Sequence, residues 1–459
     1  MPTNWGARWG WPVADAGAGG GTRRPRLVIR GGTVVDAGGV RRADVLVDEG
    51  HVVAVGERLD AGRGSTELDA GGCLVSPGLV DLHSHLREPG FEEAECVETG
   101  TRAAALGGYT AVLAMPNTDP PIDSAAVAAE VLGLGRGAPC QLAVAGAITV
   151  GRAGERLAPM GELAALGVRI FTDDGTGVDD AGVMRRALEY ARGLGVTLAQ
   201  HCEVRALAAG GHMHEGAWSS RLGVPGIPPE AEELMVARDI ALARMTGARV
   251  HFLHLSTARS IELLAAAKAQ GLAVTAEVTP HHLTFTDADL ASFDPCFKVN
   301  PPLRTDDDVA ALRHACATGT VDAVATDHAP HPPEAKAAPL AEAPPGMLGL
   351  ETALAATMAA LGPKGVGMAP AEVLGLLSWR PARVAGIDPG SGGDQGGEIA
   401  PDAAANLCVF DPDEDWQVDP ARMASRSRNT PWAGRRLRGR VRHTVFRGEP
   451  VVVGGEARR

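Results

Sequence analysis

Residues 79–85 read LVDLHSH, an apolar run that ends in two histidines, His83 and His85, two positions apart. In an extended strand alternate side chains leave the same face, so both imidazoles can reach one ion. Four further runs share this design. VRIFTDD (168–174) ends in Asp173 and Asp174, VTLAQH (196–201) in His201, VHFLH (250–254) in His254, and VDAVATDH (321–328) in Asp327 and His328. Imidazoles and carboxylates are the ligands that suit zinc and its first-row neighbours. A parallel barrel of alternating strands and helices gathers the C-terminal ends of its strands on one face, where its active sites lie. Such a fold would turn these scattered strand ends into one metal centre, and the pattern reads as a metal-dependent hydrolase.

Outward from these runs the chain alternates apolar stretches with Ala- and Leu-rich ones, as repeated strand–helix–strand units do. The candidate strands are GLVDLHSH, YTAVLAMP, CQLAVAGAI, GVRIFT, GVTLAQH, ARVHFLHL, LAVTAEVTP and VDAVATDH, eight in all, the number that closes a (β/α)8 TIM-type barrel. Helices are expected at SAAVAAEVLGLG, DAGVMRRALEYARGLG and TARSIELLAAAKAQG, the last two stopped by glycine. Before the barrel, LVIRGGTVVDAGG, RRADVLVDEGHVVAVG and STELDAGGCLVSPG alternate like short strands broken by Gly and Asp. After it, NLCVFDPDE, WQVD and HTVFRGEPVVVGG resume that style. The expected α/β organisation is a Gly-rich, poorly ordered extension (1–24), a barrel (77–388), and one small β domain built from both chain ends (25–76 and 389–459).

With 459 residues, a barrel and a small appendage account for the length. The net charge of −13 argues against nucleic acid or an anionic membrane as partner. It does not oppose a small anionic substrate, because a local arginine or a metal outweighs the distant field. The seven cysteines are scattered, odd in number and without a CxxC pair, which points to reduced thiols and a cytoplasmic setting. No run approaches the roughly 18 apolar residues of a membrane span, and the start lacks a secretory signal. An assembly of identical chains is expected.

Strand alternation sends the carboxylates of Asp173 and Asp174 opposite ways, so one faces the metal while the other serves the turn. His201 and His254 are placed to bind a second ion. Asp327 is the candidate general base, held ionised by the nearby cations.

Taken in order, HSHLREPG, AMPNT, FTDDG, QHCE, TPHH, FKVNPPLR, ATDHAPH and RNTPWAG resemble the class I bacterial dihydroorotases of the amidohydrolase superfamily. The resemblance runs from about Arg26 to Gly455. It implies a reversible step of pyrimidine synthesis, in which N-carbamoyl-L-aspartate cyclises to L-dihydroorotate with loss of water. It also implies two zinc ions per chain, with His83, His85, Asp174, His201, His254 and Asp327 as ligands. Within the aspartate pair, Asp174 stands where the family's bridging carboxylate does. Many relatives bridge their metals with a carbamylated lysine. The segment around Asp173 and Asp174 contains no lysine, which argues against a hydantoinase or an allantoinase. Asp327 is implied as the proton carrier. His85, Arg87, Asn117, Asn300, His331 and the backbone at Pro345 and Gly346 are implied as substrate contacts, with Arg87 offering a charged fork to a carboxylate. Some class I enzymes work with aspartate transcarbamoylase as partner. Some wider relatives that have lost their metal ligands act as structural partners, whereas this chain keeps all six. The departures from the family are Pro345 in place of a common Phe, Asn406 for Asp and Trp432 for Phe. The Pro- and Ala-rich segment after His331 reads as a mobile cover for the site.

Overall fold

The computed structural model describes residues 25–458; the expected extension, residues 1–24, lies outside the described residues. Each of the eight candidate runs carries a strand: Leu79–Ser84, Tyr109–Ala114, Gln141–Val144, Ile170–Phe171, Thr197–Gln200, Arg249–Phe252, Val274–Val278 and Ala323–Val324. All pair in parallel. The first three form one sheet and the other five a second. Isolated parallel bridges join Gly146 to Phe171 and Ser84 to His328, at the two seams between the sheets.

Alternation explains how the two faces of these strands are used. Ala111 and Leu113 enter an inner cluster, while Val112 between them enters an outer one under the helices. The inner cluster takes Val80, Leu82 and Ala143 from the three-stranded sheet, and Ile170, Ala199, Leu253 and Ala323 from the five-stranded one. One face of each sheet therefore packs on a common core. Strands buried on both faces read as near-continuous apolar runs, as these do.

The helices follow from stop signals and apolar spacing. In Ala181–Leu194 the Asp180 carboxylate accepts a hydrogen bond from the Val183 N–H, and the left-handed Gly195 ends the last turn. Its buried Val183, Met184, Ala187, Leu188 and Ala191 form one stripe facing the sheet. Helix Ala258–Ala269 is capped by Thr257, which accepts from the Ser260 N–H; Gln270 precedes the expected stop, Gly271.

The chain ends meet in a seven-stranded sheet, where Leu407–Gln417 pairs antiparallel with both Leu74–Pro77 and Arg436–Phe446. Ile29, Val45, Val75, Leu407, Val409 and Val445 share one cluster there. A single strand, Leu407–Gln417, runs from NLCVFDPDE into WQVD. Pro412 has no N–H for the ladder, so the register shifts between Asp411 and Asp415 while the Asp411 carboxylate accepts from the Asp413 and Glu414 N–H groups. Among the described residues, no helix is long and apolar enough to cross a membrane. All seven cysteines are free thiols.

Candidate metal centre

Six side chains expected at strand ends converge. Asp174 lies between two pairs of histidines. Its Oδ2 is 3.5 Å from His83 Nε2 and 3.6 Å from His85 Nε2, and its Oδ1 is 3.5 Å from both His201 Nδ1 and His254 Nε2. Asp327 Oδ1 closes the first pair, 3.1 Å from His85 Nε2 and 3.6 Å from His83 Nε2. His201 Nδ1 and His254 Nε2 are 3.0 Å apart. The donor atoms of His83, His85 and Asp327 lie within 4.8 Å of one another, as do those of His83, Asp174 and His254. All six residues are buried.

Burial opposes charge on both carboxylates, yet the facing imidazoles overcome it. His83, helped by His201 and His254, holds Asp174 well below the usual carboxylate range. His83 and His85 likewise hold Asp327 low. His83 moves the other way: against its desolvation, Asp174 and Asp327 raise it well above an ordinary imidazole. These are the electrostatics of acceptors gathered around a place for positive charge. Buried His83 Nε2 and Asp174 Oδ1 have no hydrogen-bond partner, so the protein itself leaves atoms aimed into this space unsatisfied.

Asp173 is turned away. Its carboxylate accepts from the Ile148 and Thr149 N–H groups and from the Thr149 hydroxyl, tying its strand end to the preceding one. His328 also turns away, with Nε2 3.2 Å from Glu95 Oε2 and Nδ1 accepting from the Gly349 N–H. Three residues here adopt left-handed backbone without being glycine: Arg87 (φ 65°), His254 (φ 32°) and Asp327 (φ 45°). Such conformations cost about 1–3 kcal/mol each and gather where geometry serves function.

The expected substrate contacts surround this cluster. Asn117 Oδ1 accepts from His85 Nδ1 at 2.9 Å, which orients that imidazole. Asn300 Nδ2 is 3.5 Å from His201 Nε2, and its buried Oδ1 has no partner. Arg87 donates from Nε to the Pro330 carbonyl at 3.1 Å and is pulled by burial to about 10. Half-buried His331 donates from Nε2 to the Pro345 carbonyl at 2.8 Å. The Gly346 N–H is spent on the Lys298 carbonyl at 2.8 Å. Gly346 needs to be glycine: its φ is 135°, and a Cβ there would lie 2.8 Å from Ala329 Cβ and 2.9 Å from His331 Nε2.

Several residues near the site were not singled out from sequence. Glu277 and His251 stand behind His83. Asn429 donates to the Ala329 and Gly346 carbonyls and accepts from the His331 N–H, stitching together the segments that carry His331 and Gly346. The segment after His331 carries a short helix, Pro333–Lys336, and two lysines bind its backbone. Lys336 Nζ donates to the Pro344 and Pro295 carbonyls, and Lys298 Nζ to the Leu340 carbonyl. A signal for Glu277 existed in LAVTAEVTP, because an acidic residue in an apolar strand needs buried partners.

Comparison with known proteins places this geometry. The family model for Dihydro-orotase-like proteins matches residues 72–260. The chain is 48% identical over 429 residues to the dihydroorotase of Pelotomaculum thermopropionicum, covering 93% of this chain and 98% of that protein. The chain belongs to the dihydroorotase family. The dihydroorotase of Streptomyces coelicolor is 48% identical over 434 residues, covering 94% of this chain and 99% of its own, and that of Mycobacterium tuberculosis is 48% identical over 439 residues with the same coverage. Among solved structures, the dihydroorotase-family chain resembles the L-hydantoinase of Arthrobacter aurescens, with a TM-score of 0.83 and 26% identity over 94% of this chain and 97% of that one. The dihydropyrimidinase of Brevibacillus agri, at 24% identity and a TM-score of 0.80 over 94% and 96% of the two chains, shares the fold.

Proposed function

We propose that this chain is a dihydroorotase that interconverts N-carbamoyl-L-aspartate and L-dihydroorotate with the aid of two zinc ions. The observation that carries this reading is the Asp174 carboxylate, whose two oxygens face two separate histidine pairs. His83, His85, Asp174 and Asp327 would hold one ion, and Asp174, His201 and His254 the other. The donor set suits zinc, and the unpartnered His83 Nε2 and Asp174 Oδ1 fit one cation on each side of the Asp174 carboxylate. Bound zinc supplies Lewis acidity, which makes water nucleophilic at neutral pH and polarises a carbonyl oxygen.

The remaining chemistry belongs to the chain. In the hydrolytic direction water attacks the ring amide carbon, and Asp327 Oδ1 accepts its proton and delivers it to the departing ring nitrogen as the C–N bond breaks. In the synthetic direction Asp327 takes the proton from the carbamoyl nitrogen as that nitrogen attacks the side-chain carboxyl carbon, and returns it to the departing oxygen, which leaves as water with a second proton from solvent. Arg87 binds the exocyclic carboxylate, with Asn117 and Asn300 as further donors, His331 as a further contact and the Pro345–Gly346 backbone walling the pocket.

We read the two parallel sheets as one closed (β/α)8 barrel spanning 77–388, flanked by a β domain from 25–76 and 389–459. The seam bridges and the common inner core support that reading. A hydantoinase-like cyclic amidase is the second reading, favoured by the likeness to the Arthrobacter enzyme. The test is turnover of dihydroorotate and of hydantoin by the purified chain, with and without a zinc chelator. Chelator-sensitive hydrolysis of dihydroorotate is expected; turnover of hydantoin alone would replace the first reading with the second.

A further inference from the structure

Glu277 is fully buried in the strand Val274–Val278. Its Oε1 lies 2.9 Å from His83 Nδ1, and its Oε2 lies 3.1 Å from His251 Nε2. His251 in turn places Nδ1 2.8 Å from the Thr275 hydroxyl. These groups form one buried chain that crosses from Arg249–Phe252, through Val274–Val278, to Leu79–Ser84. A carboxylate in such surroundings is tolerated only with its oxygens engaged by donors, and here two imidazoles engage them.

We propose that Glu277 is a positioning residue for the metal centre: it holds His83 in the tautomer with the proton on Nδ1, so that Nε2 presents its lone pair to the space beside Asp174 and Asp327. The inference rests on the two-metal reading above. Three features support it. His83 Nε2 is buried without a hydrogen-bond partner, as a nitrogen kept for a ligand bond would be. That atom lies 3.5 Å from Asp174 Oδ2 and 3.6 Å from Asp327 Oδ1, on the side of the ring away from Glu277. The second histidine of the same pair uses the same device with a different partner, His85 Nδ1 donating to Asn117 Oδ1. His251 completes the arrangement: the Thr275 hydroxyl donates to its Nδ1, which leaves Nε2–H to point at Glu277. A hydrogen-bonded carboxylate behind a ligand imidazole fixes its orientation and strengthens its basicity, and losing such a partner typically costs about 10- to 100-fold in metal affinity.

The experiment titrates zinc into metal-free wild-type protein and into Glu277→Gln against a competing chelator, with the thermal midpoint of both metal-free proteins measured alongside. The expected result is wild-type affinity lowered by roughly 10- to 100-fold in the variant, with the metal-free midpoints within a few degrees of each other. Equal affinities in the two proteins would overturn the role of Glu277 while leaving the metal centre intact. A wild-type protein that takes up no zinc would overturn the metal reading, and this inference with it. Should Glu277→Gln not fold, nitrogen NMR of the histidine-labelled, zinc-loaded wild type decides the matter. A protonated Nδ1 at His83 is expected, and an unprotonated one would refute the assignment.

Discussion

His85 Nε2 lies 3.1 Å from Asp327 Oδ1, so the carboxylate proposed to carry the proton also touches a proposed metal ligand. Replacing Asp327 by Asn keeps a neutral oxygen near His85 but removes the base. Turnover should fall about 10²- to 10⁴-fold while zinc content falls much less. Metal analysis and dihydroorotate hydrolysis on the same preparation check this, and near-normal turnover would sink the assigned role.

The neighbouring aspartates should behave as different residues. The Asp173 carboxylate bonds to the 148–149 segment, so Asp173→Asn should lower stability by about 1–3 kcal/mol and leave zinc stoichiometry unchanged. Asp174→Asn removes the carboxylate between the histidine pairs and should cost zinc binding instead. Denaturation curves and metal counts on both variants distinguish them; the opposite pattern would exchange their roles.

Arg87 offers a planar fork that a lysine cannot reproduce. Arg87→Lys should therefore raise KM for dihydroorotate by roughly 10- to 100-fold, the worth of a charged hydrogen bond, with kcat less affected. An unchanged KM would restrict Arg87 to anchoring the Pro330 carbonyl.

Lys336 supplies a pH prediction. Burial pulls its ammonium from the usual 10.5 down to about 7 while the loop carbonyls surround it. Between those values the unfolded chain binds the proton that the folded chain has released. This contribution to stability therefore rises with pH through that window, and the full penalty for burying the charge applies below it. Lys336→Met abolishes the titration. The denaturation midpoint of the wild type, taken relative to the variant, should increase between about pH 7 and about pH 9.5. A difference that does not change with pH would contradict the sign.

Much of this molecule was readable before any coordinates. The eight apolar runs carry parallel strands because buried parallel strands must be apolar on both faces, a pattern local enough to see in the chain. Gly195 stops its helix as glycine after an amphipathic run should. That one strand runs across Pro412 is not legible in the chain, because the bulge that lets a ladder pass a proline is set by the partner strand, not by the residues themselves. The segment after His331 reads as a mobile cover because it is rich in Pro and Ala. Its tethers are carbonyls held by Lys298 and Lys336, and backbone acceptors leave no mark in a sequence.

By itself, then, the sequence determined the order of strands and helices and the side chains with metal-binding chemistry at the strand ends, since both follow from local pattern and residue type. Tertiary structure decided what depends on distance across the fold. It chose Asp174 over Asp173 to meet the histidines, and set Glu277 behind His83 through a contact 194 residues apart. It also spent the Gly346 N–H on Lys298. Hydrogen bonds and Coulomb interactions act over a few ångströms of space, and no spacing along the chain encodes which distant atoms come that close.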